Sequence, residues 1–182
     1  ISCNTDIKIT GGRIVDIGIF DEAGIDCSNK FISPGFIDIH THGGYGFDFM
    51  DSTDEAFDSI LRFQLDNGTT TVLPTSVTAP VAAIKKFIDT ARKYKKKNPP
   101  FAKVFGVHLE GPYLSLKNRG AQKEEYILNP QKDDYSFITD NKDIVRTVTI
   151  SPELDVNGAM TKCLSENGII VLTENDMDKA EL

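Results

Sequence analysis

Residues 33–43 read Ser33-Pro34-Gly35-Phe36-Ile37-Asp38-Ile39-His40-Thr41-His42-Gly43, a short apolar strand that ends in two histidines. Side chains on a strand alternate between its two faces, so His40 and His42 point to the same side. Neutral imidazoles bind Zn and Fe, and a carboxylate from a neighbouring strand can complete such a site. The motif therefore predicts a metal site at the end of this strand, although a chance pair of polar residues is the alternative for so short a motif. Asp38 lies one pleat deeper and is expected to accept hydrogen bonds rather than to act in catalysis.

The segments after this strand alternate between apolar strands and helical patterns. Apolar residues recur at helical spacing over residues 54–67 and 80–97, and more weakly over 155–167. Strands that alternate with helices are typical of a parallel sheet in an α/β fold. The predicted strands are Phe36–His40, Thr70–Thr75, Ala102–Leu109, Val145–Ser151 and Gly168–Leu172.

The first 32 residues have a different pattern. Two short β-like runs, Asp6–Thr10 and Arg13–Phe20, are joined by the pair Gly11 and Gly12. Two such runs across a glycine pair predict a β-hairpin. Because strand and helix patterns begin to alternate from Phe31 onward, we place a domain boundary near residue 32.

A second chemical motif, Gly106-Val107-His108-Leu109-Glu110-Gly111-Pro112, closes the third predicted strand. In parallel α/β barrels the chemistry lies at the carboxyl ends of the strands. We therefore expect Glu110 to meet His40 and His42 at this end of the sheet. His108 shares a face with Glu110, and either a hydrogen-bonded supporting role or direct ligation of the metal fits it.

Three segments, 33–43, 68–76 and 106–112, resemble in this order the amidohydrolase superfamily. Within it they are similar to the N-acetylglucosamine-6-phosphate deacetylase family. The start Pro-Gly-Phe-Ile-Asp-x-His-x-His is shared by many amidohydrolases, whereas His-Leu-Glu-Gly-Pro combined with Gly-Thr-Thr-Thr is narrower. The resemblance implies a homodimeric hydrolase that uses one or two divalent ions, Zn or Fe, to remove acetate from N-acetylglucosamine 6-phosphate in amino-sugar catabolism. The metal ligands that it implies are His40, His42 and Glu110.

The resemblance also implies a fold, a TIM-type (β/α) barrel beside a small β-sandwich domain. The 182 residues supply about five of the eight strands and are fewer than the roughly 250 residues of a complete barrel. Residues 1–32 would form part of the β-sandwich domain, and residues 33–170 the N-terminal part of the metal-dependent barrel. Residues 171–182 resemble the strand pair that returns to the β-sandwich, which raises the hypothesis that the chain joins two non-adjacent pieces of a longer polypeptide.

Substrate contacts are implied for residues 118–122, Asn-Arg-Gly-Ala-Gln, because the backbone of the corresponding family loop approaches the sugar. Ala121 and Gln122 are the expected contacts with the phosphorylated amino sugar. Arg119 fits either a bidentate phosphate ligand or an ordinary surface arginine, and both interpretations stay open.

No catalytic residue is assigned in this chain. In the family an aspartate at the end of the eighth strand shuttles the proton, and further metal-binding histidines end the fifth and sixth strands. This sequence has no histidine after His108, so the chain alone is expected to be inactive. One alternative is an amidohydrolase of the dihydroorotase or dihydropyrimidinase type, although those enzymes typically use a carboxylated lysine where this motif places Glu110. The other alternative is a non-catalytic fragment or degenerate homologue.

Composition limits the partners and the compartment. The formal net charge of −7 argues against nucleic acid and membrane surfaces, because both select clustered Lys and Arg. The basic run 92–97 closes a predicted helix, where cations favour the negative end of the helix dipole. Three cysteines, Cys3, Cys27 and Cys163, cannot all pair, which favours reduced thiols and a cytoplasmic protein. No apolar stretch approaches the roughly 20 residues of a membrane span.

Overall fold

The computed structural model describes residues 5–21, 23–117 and 119–173. Within the chain, Cα positions separate into two compact units, Ile1–Pro34 and Gly35–Leu182. Each unit is described by itself below.

A β-hairpin is the regular secondary structure described in the first unit. Strands β1 (Asp6–Thr10) and β2 (Arg13–Gly18) pair antiparallel. Gly11 and Gly12 occupy the turn with φ of 58° and 74°, a conformation that residues without a Cβ adopt at no steric cost. The predicted hairpin is confirmed, and its place in a β-sandwich domain stays a prediction.

Parallel strands with intervening helices make up the second unit. Its described strands are β3 (Phe36–Thr41), β4 (Gly43–Gly44), β5 (Phe47–Asp48), β6 (Thr69–Ser76), β7 (Lys103–Val104), β8 (Val107–Glu110), β9 (Val145–Ile150) and β10 (Ile170–Thr173). Its described α-helices are α1 (Asp54–Asp66), α2 (Val81–Lys97), α3 (Ser136–Thr139) and α4 (Ala159–Glu166).

The main sheet has the strand order β3-β6-β8-β9-β10, and all neighbouring strands in it run parallel. The short strand β7 also pairs with β6, while β4 and β5 form a separate antiparallel pair. Because the strands follow chain order and run parallel, each is connected to the next by a crossover, as in a barrel. The predicted α/β class with part of a TIM-type barrel is confirmed.

The third predicted strand is divided into β7 and β8. The break falls at Phe105 and Gly106, where the backbone passes close to the next strand. A Cβ on Gly106 would lie 2.6 Å from the carbonyl oxygen of Ile144. Glycine allows this close approach because it has no Cβ. The apolar pattern of the sequence gives no sign of the approach, so it predicted one continuous strand.

The fifth strand begins at Ile170, two residues later than predicted. Gly168 has φ of 75° and follows the end of α4, so it belongs to the helix terminus rather than to the strand. Val171–Thr173 pair with β9. These three residues thus lie in the parallel sheet and not in a strand that returns to the small domain. The rest of that expected return, 174–182, lies outside the described residues.

Helices α1 and α2 bury their apolar faces in the core. Phe57 and Ile60 of α1 and Ile84 of α2 have no exposed surface, as the helical spacing predicted. Tyr94 of α2 is buried as well, and its hydroxyl donates to the Asp58 carboxylate at 2.7 Å, which links the two helices. Among the described residues, no helix combines the length and apolar character needed to cross a bilayer.

Helix α4 begins later than the predicted helix over 155–167. Asn157 and Gly158 have positive φ values of 61° and 64°, which interrupt the helix before Ala159. The Asp155 carboxylate nevertheless reaches the first turn, where it accepts hydrogen bonds from the backbone nitrogens of Met160 and Thr161, both at 2.8 Å. Asp155 therefore caps α4 from four residues upstream of its first residue.

Asp155→Ala is expected to lower the free energy of unfolding by about 0.5–2 kcal/mol, the usual cost of losing a helix cap. Burial acts to raise the pKa of the Asp155 carboxyl, but hydrogen bonds from Thr161 and Met160 outweigh it and lower the pKa from 3.8. A lowered pKa stabilises the folded protein above the unfolded pKa, and this stabilisation is lost as pH falls through the folded pKa. Denaturant unfolding at neutral pH and near pH 3 measures this effect. The difference in the free energy of unfolding between Asp155→Ala and the parent protein should be smaller at the lower pH. Asp140→Ala, at an exposed position, is the control.

Candidate metal centre

Three potential metal ligands meet at the carboxyl ends of β3 and β8. The ligand atoms of His40, His42 and Glu110 all lie within 4.8 Å of one another. Glu110 Oε2 is 2.8 Å from His40 Nε2 and 2.9 Å from His42 Nε2, and the two imidazole nitrogens are 3.3 Å apart. The structure therefore brings together the three residues expected to bind a metal.

Hydrogen bonds and a tight turn hold the histidine pair. The Asp38 carboxylate accepts a hydrogen bond from the backbone nitrogen of His40 at 3.1 Å, as its position below the histidines predicted. The backbone nitrogen of Thr41 donates to Thr75 Oγ1 at 3.0 Å, which ties β3 to β6. Immediately after His42, Gly43 packs so closely that a Cβ would lie 2.2 Å from the carbonyl oxygen of Phe47.

The electrostatics of the group centre on Glu110. The hydrogen bond from His42, assisted by His40, lowers the pKa of Glu110 to about 2 against the opposing effect of burial. The same hydrogen bond raises the pKa of His42 above 6.5. Glu110 is therefore ionised at neutral pH, and its negative charge favours the protonated form of His42.

The spacing of the ligand atoms fits a small divalent cation. Zn is bound by imidazole nitrogen and carboxylate oxygen at about 2.0–2.2 Å, which puts ligand atoms on the order of 3–3.5 Å from one another. The observed separations are 2.8, 2.9 and 3.3 Å, so the two histidine–carboxylate contacts, which are at hydrogen-bond distance, would lengthen slightly around an ion. The imidazole and carboxylate donors are also chemically suited to Zn or Fe.

His108 lies behind the ligand group rather than in it. Its side chain is buried, with Nε2 2.8 Å from Thr149 Oγ1 and Nδ1 3.4 Å from Thr75 Oγ1. Its ring meets the ring of His40 edge to face, with centroids 4.8 Å apart. Burial is the main cause that lowers the pKa of His108 to about 4, so it is neutral at pH 7. In the structure His108 is therefore hydrogen-bonded behind the ligands, which fits the supporting role rather than direct ligation of the metal.

The two expected substrate contacts, Ala121 and Gln122, lie in the loop after β8 and differ in exposure. Ala121 is exposed, but the side chain of Gln122 is buried and contacts Glu110 and Thr78. The Arg119 guanidinium donates to the Gln122 carbonyl oxygen and lies 3.7 Å from Glu124. Arg119 therefore has protein partners in this conformation, and the Gln122 side chain faces the metal ligands.

The sequence analysis placed Thr75 at the end of its strand but assigned no role to Thr75 or to Thr149. Thr75 and Thr149 hold the His108 ring, and both lie near the carboxyl ends of strands predicted from sequence. Their position on those strands was the available signal, because side chains at strand ends reach the same edge of the sheet.

The sequence profile of the amidohydrolase family matches residues 31–170. The chain belongs to the amidohydrolase family. This amidohydrolase is 33% identical over 179 residues to the N-acetylglucosamine-6-phosphate deacetylase of Homo sapiens, a match that covers 91% of this chain and 44% of the relative.

Solved structures of N-acetylglucosamine-6-phosphate deacetylases are also similar to this chain. An N-acetylglucosamine-6-phosphate deacetylase from Pasteurella multocida has a TM-score of 0.84 and 27% identity, covering 97% of this amidohydrolase and 48% of that chain. A variant of the Mycobacterium smegmatis deacetylase, solved in complex with N-acetyl-D-glucosamine-6-phosphate, has a TM-score of 0.76 and 27% identity, covering 94% and 45%. The chain spans less than half the length of each of these relatives.

Proposed function

We propose that this amidohydrolase provides the metal-binding part of an N-acetylglucosamine-6-phosphate deacetylase, acting in amino-sugar catabolism within a longer polypeptide. The observation that carries the proposal is the meeting of His40, His42 and Glu110 at one end of the parallel sheet. Similarity to deacetylases of this activity over nearly the whole chain supports the choice of reaction.

His40, His42 and Glu110 would hold a divalent ion, Zn or Fe, either alone or as one of two. When bound, such an ion lowers the pKa of its water and polarises the acetyl carbonyl. Glu110 is already ionised and needs no deprotonation, because its pKa is about 2. The Nε2 atom of His42 would bind a cation only in its deprotonated form, and Glu110 raises the pKa of this imidazole.

The proposed substrate is a phosphorylated amino sugar that lies beside the loop after β8. Ala121 is exposed there and would contact the sugar through its backbone. Gln122 would do the same, because its side chain is occupied by Glu110 and Thr78. A homodimer and a cytoplasmic location stay predictions, the first from the resemblance and the second from the cysteine content.

Glu110 also favours the deacetylase over the dihydroorotase type. It supplies the carboxylate that faces the histidine pair, and this is the position where the alternative enzymes typically use a carboxylated lysine. A non-catalytic homologue that keeps the metal group would share this geometry, so turnover separates it from the enzyme.

The proposal is tested on the complete polypeptide that contains these residues. The protein is stripped with a chelator, restored with Zn or Fe(II), and assayed for acetate release from N-acetylglucosamine 6-phosphate. Unphosphorylated N-acetylglucosamine and dihydroorotate serve as comparison substrates. We expect metal-dependent release that is fastest with the phosphorylated sugar. Preferential turnover of dihydroorotate, or metal binding without any turnover, would support one of the two alternatives instead.

A further inference from the structure

The side chain of Gln122 is buried beside the metal ligands, between the loop after β8 and the end of β6. Its Nε2 lies 3.0 Å from Glu110 Oε1, and its Oε1 lies 2.7 Å from the backbone nitrogen of Thr78. Gln122 is only 8% exposed. In such a sheltered place a hydrogen bond is stronger than in water, and an unpaired polar group is more costly.

Thr78 determines which way the Gln122 amide points. A backbone N–H group can only donate, so the amide atom that faces it must be the oxygen. The NH₂ group of Gln122 then faces Glu110 and donates to the carboxylate. The reverse orientation would set donor against donor at Thr78 and oxygen against oxygen at Glu110.

The two carboxylate oxygens of Glu110 consequently have different partners. Oε1 accepts the hydrogen bond from Gln122, while Oε2 faces the Nε2 atoms of His40 and His42. Resting on the metal site proposed above, we propose that Gln122 is a positioning residue for Glu110. It would hold the carboxylate with Oε2 turned toward the histidine pair and Oε1 turned toward the loop.

The loop is folded so that this contact is maintained. The backbone nitrogen of Gln122 donates to the carbonyl oxygen of Arg119 at 3.0 Å, and Arg119 Nη1 donates back to the Gln122 carbonyl oxygen at 2.5 Å. The contact with Thr78 then anchors this turn to the end of β6. One side chain therefore joins the loop beside the proposed substrate position to the metal ligand, and a displacement of the loop would turn the Glu110 carboxylate.

The test uses Gln122→Met in the complete polypeptide, which keeps the length of the side chain and removes the amide. Gln131→Met, at an exposed position, is the matched control. Metal affinity is measured by competition with a chelator, and ligand geometry by the absorption spectrum of the Co(II)-substituted protein. We expect Gln122→Met to bind metal about 10–100-fold more weakly, as is typical when a partner of a metal ligand is lost. We also expect a changed Co(II) spectrum, because the released carboxylate can rotate.

Metal affinity and a Co(II) spectrum equal to those of Gln131→Met would overturn the role of Gln122. If Gln122→Met does not fold, Gln122→Glu replaces it, since its carboxylate can still accept from Thr78 but offers no donor to Glu110. An unchanged Co(II) spectrum in that variant would also overturn the proposal. Absence of metal binding in the parent protein would instead contradict the metal site itself, so the two failures are distinguishable.

Discussion

Glu110→Gln is expected to lower metal affinity by more than about 100-fold, beyond the loss typical of a residue that merely supports a ligand. Oε2 of Glu110 faces both histidines, and the pKa of about 2 shows that the folded site favours a carboxylate there. A neutral amide removes the negative charge and leaves its NH₂ or oxygen facing the imidazoles. Acetate release from N-acetylglucosamine 6-phosphate should fall with the metal content.

Metal content per chain and the rise in melting temperature on adding Zn or Fe(II) measure this effect. The parent protein should be stabilised by about 2.7 kcal/mol when free metal is 100 times its Kd, and Glu110→Gln should show little stabilisation at the same concentration. Glu153→Gln, which changes an exposed glutamate in the same way, should behave like the parent. Normal metal content in Glu110→Gln would refute the ligand assignment.

Gly111→Ala is expected to lower the free energy of unfolding by about 2–5 kcal/mol, from backbone strain and steric overlap together. Gly111 has φ of 80°, and a Cβ at this position would lie 2.2 Å from Thr78 Oγ1. Thr78 is buried and β-branched, so it cannot rotate freely away. Because Thr78 anchors Gln122, the variant should also weaken metal binding.

Denaturant unfolding of two further variants separates strain from overlap. Gly168 has a similar φ of 75° but no heavy atom within 4 Å of its built Cβ. Gly168→Ala should therefore show the backbone cost alone, about 1–2 kcal/mol. Adding Thr78→Ala to Gly111→Ala removes the clashing hydroxyl and should recover part of the loss. Equal losses for the Gly111 and Gly168 variants would show that the overlap with Thr78 is relieved without cost.

The parallel fold was predictable because its signals are local and periodic. Apolar spacing located helices α1 and α2 to within one residue at each end, since each buries one continuous face. The start of α4 was not predictable in this way. Asp155 caps it across Asn157 and Gly158, whose positive φ values interrupt the helical pattern before the helix begins.

In the candidate site, too, one part could be predicted from the sequence and another could not. The meeting of His40, His42 and Glu110 followed from strand alternation and from the common edge at which parallel strands end. The role proposed for Gln122 could not be predicted in this way, because its contact with Thr78 joins residues 44 positions apart through an irregular loop. No period in the sequence encodes a contact of that kind.

The metal ligands lie on two strands of the sheet that are not neighbours. Glu110 lies on β8, whereas His40 lies on β3 and His42 follows it directly, and β6 lies between these two strands in the sheet. The pairing of β3 with β6 is also irregular between Asp38 and Thr41. The three ligands therefore reach the site from both sides of β6. An ion bound by all three residues would connect β3 directly to β8, two strands that are not paired with each other in the sheet.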